Sequence, residues 1–205
     1  EEVDASASTG GGYVDASTQT DFKFTGGSGN DRFQAEVALS TTTGSAGAIN
    51  AGAGTDRLII NTTADITSAI GDLYTNFEVL QVEDGVSVDM DHVDGLTAVR
   101  INQGNNATGV TDLSATEASN ITIVGTGAGA VTMAVKGAAT IGQLDHITLA
   151  IDNGASAEAD LVLTTPTMAS VETLTINAAK DAVSISALTS ATSLTSVVIN
   201  ATHTT

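Results

Sequence analysis

Residues 26–34 read Gly26-Gly27-Ser28-Gly29-Asn30-Asp31-Arg32-Phe33-Gln34 and match the nonapeptide G-G-x-G-x-D-x-U-x at every specified position. Glycines there permit positive φ and a tight turn that aims backbone carbonyls inward. The aspartate adds a carboxylate, and the apolar residue after it starts a strand. Calcium takes about six to eight oxygens and accepts carbonyls readily, so one such turn supplies half a shell. The other half is offered by Ala51-Gly52-Ala53-Gly54-Thr55-Asp56-Arg57-Leu58-Ile59, where Ala51 replaces the first glycine. The candidate calcium ligands are therefore Gly26, Gly27, Ser28, Gly29 and Asp31 in the first turn, and Ala51, Gly52, Ala53, Gly54 and Asp56 in the second. Asp31 and Asp56 stand 25 residues apart, so two turns of one coil spacing would stack with an ion between them. The alternative is two ordinary glycine turns with solvated aspartates.

A second group of acids, Glu83, Asp84, Asp89, Asp91 and Asp94, lies within twelve residues. In strand phase Val86, Val88 and Met90 point inward, which leaves Asp89 and Asp91 on one outer face. Carboxylates so placed repel one another and invite a cation. Asp84, Asp89 and Asp91 are thus candidates for a second calcium site between subunits, against the favoured reading of a solvated acidic face. His92, His146 and His203 form no H-x-H or H-E-x-x-H pair and read as surface or turn residues. Neither a G-x-S-x-G elbow nor a Walker-type loop is present. The enzyme rival is a β-helical polysaccharide lyase using Arg100 with grouped carboxylates and calcium. With so few bases and aromatics, the chain reads as a non-enzyme.

These turns need a scaffold that repeats at their spacing. A phrase of a polar residue, any residue and an aliphatic anchor recurs at Phe33, Leu58, Leu80, Val99, Ile121, Ile147, Leu174 and Val197. The anchors lie 19 to 27 residues apart, and alternation within each copy has the strand period of two. Second apolar stretches follow at 86–90, 131–135, 161–163 and 183–185. Short strands repeated at this period predict an all-β fold, a parallel β-solenoid or β-helix of eight coils. A leucine-rich repeat and a β-sandwich are the rivals. Residues 1–61 form the N-terminal segment with the calcium-binding coils, and 62–205 the degenerate coils of about 23 residues. A short helix is expected only near 66–73. Residues 22–24, ahead of their glycine turn, align equally well with 121–123 ahead of the glycines at 125–129. That later turn lacks a carboxylate and predicts no ion. The residues two before each anchor (Asp31, Asp56, Glu78, Thr97, Ser119, Asp145, Glu172 and Thr195) all form hydrogen bonds readily, and are expected to satisfy backbone donors at a solenoid corner.

Composition narrows the function. Six basic residues against 24 acidic ones give a net charge of −18, which argues against nucleic acid and anionic membrane surfaces as partners. There is no cysteine, so disulfides and thiolate sites are excluded, and no apolar run is long enough for a membrane span. Aromatics are 3% of residues, which suits a narrow core of small and β-branched side chains. The chain opens at Glu1 without a signal-like segment and is read as processed or partial.

The glycine–aspartate nonapeptides resemble the RTX class of calcium-binding, type I-secreted bacterial proteins. The phrases Phe77-Glu78-Val79-Leu80-Gln81-Val82 and Val171-Glu172-Thr173-Leu174-Thr175-Ile176, with their Ala-, Thr- and Ser-rich connections, resemble the calcium-dependent surface-layer proteins of Gram-negative bacteria. Two good motifs stand here instead of a long tandem array, and no C-terminal secretion signal is evident. The resemblance implies Ca2+-ordered folding outside the cell, at the cell surface, and self-association into a sheet or filament. A cell-surface polysaccharide is a further partner it leaves open, and a calcium-dependent adhesin for glycan or host surface is the alternative role.

Overall fold

The computed structural model describes residues 2–16, 18–19, 22–35, 48–125, 127–140, 143–151, 161–178, 183–185, 188 and 191–201. It is an all-β protein whose sheets are parallel throughout and wind into a β-solenoid. One wall is a continuous sheet of nine strands. They run Tyr13–Asp15, Arg32–Ala35, Arg57–Ile60, Val79–Val82, Ala98–Asn102, Ile121–Val124, His146–Ile151, Thr173–Ala178 and Ser196–Ala201. All eight predicted anchors lie in these strands, and Tyr13–Asp15 precedes them as a further copy.

The second wall comes in two sheets. Glu2–Asp4, Lys23–Thr25, Ile49–Asn50 and Tyr74–Thr75 make the first. Ser87–Asp89, Thr108–Leu113, Ala130–Val135, Leu161–Thr167 and Val183–Ile185 make the other, and they include three of the expected second apolar stretches whole and the middle of the fourth, 86–90. Lys23–Thr25 therefore belongs to the second wall and Ile121–Val124 to the first. The alignment of 22–24 with 121–123 is incorrect, because the glycine turns after them sit at opposite edges of the solenoid.

The inward column of the first wall runs Phe33, Leu58, Leu80, Val99, Ile121 in direct register. Ile121 then pairs with Leu149 and not with the anchor Ile147. A slip of two residues keeps every inward side chain inward, so the alternating pattern tolerates it, whereas a slip of one would turn the core outward. Anchor register resumes as Ile147, Leu174, Val197. The corner displaced by the slip is occupied by a single α-turn, Ala115–Ala118. Its capping box joins Ser114 to the Glu117 N–H and the Glu117 carboxylate to the Ser114 N–H at 2.6 Å. Near 66–73 the chain forms 3₁₀ turns, Thr63–Asp65 and Gly71–Leu73, where a helix was expected. The two segments are too short to hold an α-helix against the neighbouring coils.

The aromatic residues are few but gathered. Phe33 is fully buried, and its ring centroid lies 5.9 Å from Phe22, 5.5 Å from Phe24, and 6.5 Å from both Tyr74 and Phe77. Five of the six aromatic side chains in the chain thus fill one section of the core, directly behind the glycine turns, while Ile, Val, Leu and Met fill the coils beyond. Phe33→Ala is expected to lower stability by about 3–5 kcal/mol in urea unfolding. Val197→Ala, at a position 43% exposed, should stay within about 0.5 kcal/mol.

Candidate metal centre

The two nonapeptide turns stack directly. The Ala53 N–H donates to the Gly27 carbonyl at 2.8 Å, the Thr55 N–H to Asn30 Oδ1 at 3.0 Å, and the Arg57 N–H to the Asp31 carbonyl at 2.9 Å. Glycine is required by the closeness of the turns: a Cβ on Gly26 would stand 1.9 Å from the Ala51 oxygen. Gly52 adds a φ of +94°, where a Cβ would also meet the Gly27 oxygen at 2.3 Å. A third turn that sequence reasoning missed, Ser8-Thr9-Gly10-Gly11-Gly12, stacks on the other side of the first. The Ser28 N–H donates to the Ser8 carbonyl and the Arg32 N–H to the Gly12 carbonyl, each at 2.9 Å. Three consecutive glycines just ahead of Tyr13-Val14-Asp15 were its signal, but Gly12 stands where the pattern has aspartate.

Asp31 and Asp56 are buried to within 2% and 0% exposure, so the reading of solvated aspartates is incorrect. Each accepts hydrogen bonds from backbone. Asp31 Oδ1 takes the Gly12 N–H at 2.6 Å and its Oδ2 the Gly27 N–H at 3.2 Å. Asp56 Oδ1 takes the Asp31 N–H at 2.6 Å, and Glu78 Oε2 takes the Asp56 N–H at 2.7 Å. The same contact recurs further on, where Glu172 Oε2 takes the Asp145 N–H at 2.8 Å. Thr97 and Thr195 reverse the direction, donating Oγ1 to the Glu78 and Glu172 carbonyls at 3.3 and 3.2 Å. The expected corner role of these residues is therefore realised as a ladder of side-chain oxygens. It is interrupted at Ser119, which caps its own α-turn through the Ala115 carbonyl, where the register slips.

Two oxygens of the ladder are left over, Asp145 Oδ2 and Asp56 Oδ2, and of these the Asp56 oxygen lies in the stacked glycine turns. Asp56 Oδ2 is buried and accepts no hydrogen bond. Burial pushes the Asp56 carboxyl above its ordinary value; the Asp31 N–H opposes this, and the Glu78 and Asp31 charges add to it. A buried carboxylate oxygen without a donor is costly and calls for a proton or a cation. Calcium fits that demand by its chemistry, since the stacked turns offer this oxygen together with glycine carbonyls. Among the described residues no three His, Asp or Glu side chains are grouped to hold a metal. An ion here would draw mainly on backbone oxygen, with Asp56 as the free carboxylate and Asp31 already engaged by two N–H groups.

Asp84 is not brought together with Asp89 and Asp91. The Asp84 carboxylate receives the backbone N–H groups of Gly104, Asn105 and Asn106, the last at 2.9 Å, and the Asn106 amide at 2.7 Å. Desolvation opposes its ionisation, but these donors, Asn106 foremost, outweigh it and lower the carboxyl below its ordinary value. Asp89 Oδ1 accepts the Asp91 N–H at 3.0 Å, and Asp91 is ion-paired with Lys136. Arg100 and Asp89 lie on different walls, so they share no groove of the kind a lyase would need. His92 stands 3.7 Å from Asp89, His146 contacts Thr148 at 2.7 Å, and His203 lies outside the described residues. The glycines at 125–129 stack on the turn before them, with the Gly129 N–H on the Gly104 carbonyl at 2.8 Å.

The raised Asp56 carboxyl gives a pH test with a definite sign. Its contribution to stability is fully present below the unfolded-state value near 3.8 and is lost as pH rises through the raised folded-state value. In chelator, wild-type stability relative to Asp56→Asn should therefore fall as pH rises through that range, and millimolar calcium should cancel the fall. A difference between the two proteins that ignores both pH and calcium would count against the site. Asp31→Ala strands the buried Gly27 N–H and should cost about 1–3 kcal/mol with or without calcium. Comparison of the chain with protein-family models, curated proteins and solved structures gives no match.

Proposed function

We propose that the chain is a structural β-solenoid segment of a self-assembling bacterial surface layer or filament, extracellular and ordered by bound calcium. The observation that carries this reading is the unspent buried oxygen of Asp56 inside a stack of glycine turns. A group that binds a cation only in the folded coil ties folding to the cation supply. At a concentration of 100 times Kd the ion adds about 2.7 kcal/mol of stability. Low cytoplasmic calcium then leaves the chain loosely folded for export, and higher calcium outside orders it. The cation also relieves the self-repulsion of a chain at −18.

Self-association belongs to this reading through the resemblance of the glycine–aspartate turns and the 77–82 and 171–176 phrases to calcium-dependent surface-layer proteins. Among the described residues Ser196–Ala201 pairs only with Thr173–Ala178. Val197 and Ile199 continue the inward columns yet are 43% and 57% exposed. A further parallel strand on that side, from this chain or from a second copy, would cover both side chains. Sedimentation velocity should show polymers in millimolar calcium and small species in chelator. A compact monomer indifferent to calcium contradicts the proposal.

A further inference from the structure

The three arginines of the chain, Arg32, Arg57 and Arg100, all stand on the nine-strand sheet. Arg32 pairs directly with Arg57. Arg57 Nη1 donates to Gln81 Oε1 at 3.1 Å, and Gln81 pairs with Arg100. The guanidinium groups therefore descend a diagonal across four adjacent strands, with the Arg32 group 5.3 Å from the centre of the Tyr13 ring. Like charges on neighbouring strands oppose folding. Burial, with the charges of Arg100 and Arg32, lowers Arg57 below its ordinary value, and its buried Nε has no hydrogen-bond partner. Two acids border the diagonal. Asp15 lies on the strand beside Arg32, and the Glu83 carboxylate is taken up by the Gln81 and Asn102 amides. The patch is positive on a protein that is otherwise strongly negative.

The outward columns beside the arginines carry Gln34, Gln81, Thr122, Ala150 and Asn177, and the exposed Tyr13 ring stands against Arg32 at their end. Such a face selects an acidic, hydrophilic partner. The opposite wall of the solenoid presents one. There Asp89, Asp91 and Asp112 surround a single ammonium, Lys136, with Asp91 in contact and all three charges acting on it. Three carboxylates against one lysine leave that surface negative. Guanidinium forks take carboxylates two bonds at a time.

We propose that the Arg32–Arg57–Arg100 face of one copy docks on the Asp89–Asp91–Asp112 face of a second copy of this chain. Because the two patches lie on opposite walls, each copy offers both halves of the contact. The interface is heterologous, does not close on itself, and adds copies front to back into an open assembly. It rests on the self-assembling reading above, and supplies that assembly with a lateral contact.

The test uses charge reversal in millimolar calcium, followed by sedimentation, with circular dichroism to verify folding. Arg32→Glu with Arg100→Glu leaves half-buried Arg57 in place, and Asp89→Arg with Asp91→Arg alters the other wall. Each double variant alone should assemble about tenfold more weakly, and an equimolar mixture should restore assembly. In the mixture, every front meets a back of opposite sign. Wild-type assembly should weaken between low and 0.5 M salt, a range over which exposed charges become screened. If the wild type assembles and both variants assemble equally well, or the mixture restores nothing, this contact is wrong. If the wild type never assembles, the self-assembling reading itself fails.

Discussion

A corner backbone N–H donated to a carboxylate of the next coil, a contact made at four corners of the solenoid, is the interaction on which the rest of the structure depends. Gly12, Asp31, Asp56 and Asp145 donate in this way, and Asp31, Asp56, Glu78 and Glu172 accept. A solenoid has no hairpins, so its coils are joined by contacts between residues 19 to 27 apart in sequence. Where the chain turns a corner it leaves the regular ladder of strand bonds, and its N–H groups would be stranded in a buried position. A carboxylate on the following coil accepts them with a charge-assisted bond, stronger than a neutral one. The corner residue thus fixes coil to coil where the sheet alone cannot.

The same device sets the chemistry of the glycine turns. Because Asp31 gives both oxygens to backbone donors, it serves structure first. Asp56 gives one and keeps one in reserve, with Glu78 below it and Asp31 above. A column of buried carboxylates in a chain at −18 accumulates repulsion, and the uncommitted oxygen is where it can be relieved by a cation. Close stacking of the turns needs glycine, and their rigidity needs the aromatic cluster around Phe33 behind them. Packing, turn geometry and charge therefore converge on the same three coils.

Much of this was legible in the sequence. Anchors from Phe33 to Val197 follow the period of two, and each lies in the sheet. Two-residue slippage at Ile121 and Leu149 was hidden because it leaves the inward pattern intact. The α-turn at Ala115–Ala118 had a readable sign in Ser114-Ala115-Thr116-Glu117, but its single turn is shorter than the pattern that marks a helix. In the candidate site, the pairing of Asp31 with Asp56 followed from spacing alone. The preceding turn at 8–12 escaped because it has no aspartate and its coil is the short one, with Gly12 to Asp31 spanning 19 residues. The arginine diagonal could not be read at all without register, since Arg32, Arg57 and Arg100 are scattered along the chain and meet only once the coils are aligned. Asp84, Asp89 and Asp91 looked like one cluster in sequence, but Asp84 is taken up by the turn at 104–106, while Asp89 and Asp91 stay together beside Lys136.

Amide hydrogen exchange at the corner residues tests the ladder most directly. Asp31 and Asp56 amides should be protected to the same degree as strand amides such as that of Leu58, and Glu78→Ala should speed exchange at Asp56 selectively by about tenfold. Corner amides that exchange as fast as an exposed turn in the wild type, or a Glu78→Ala protein with no local change at Asp56, would contradict it.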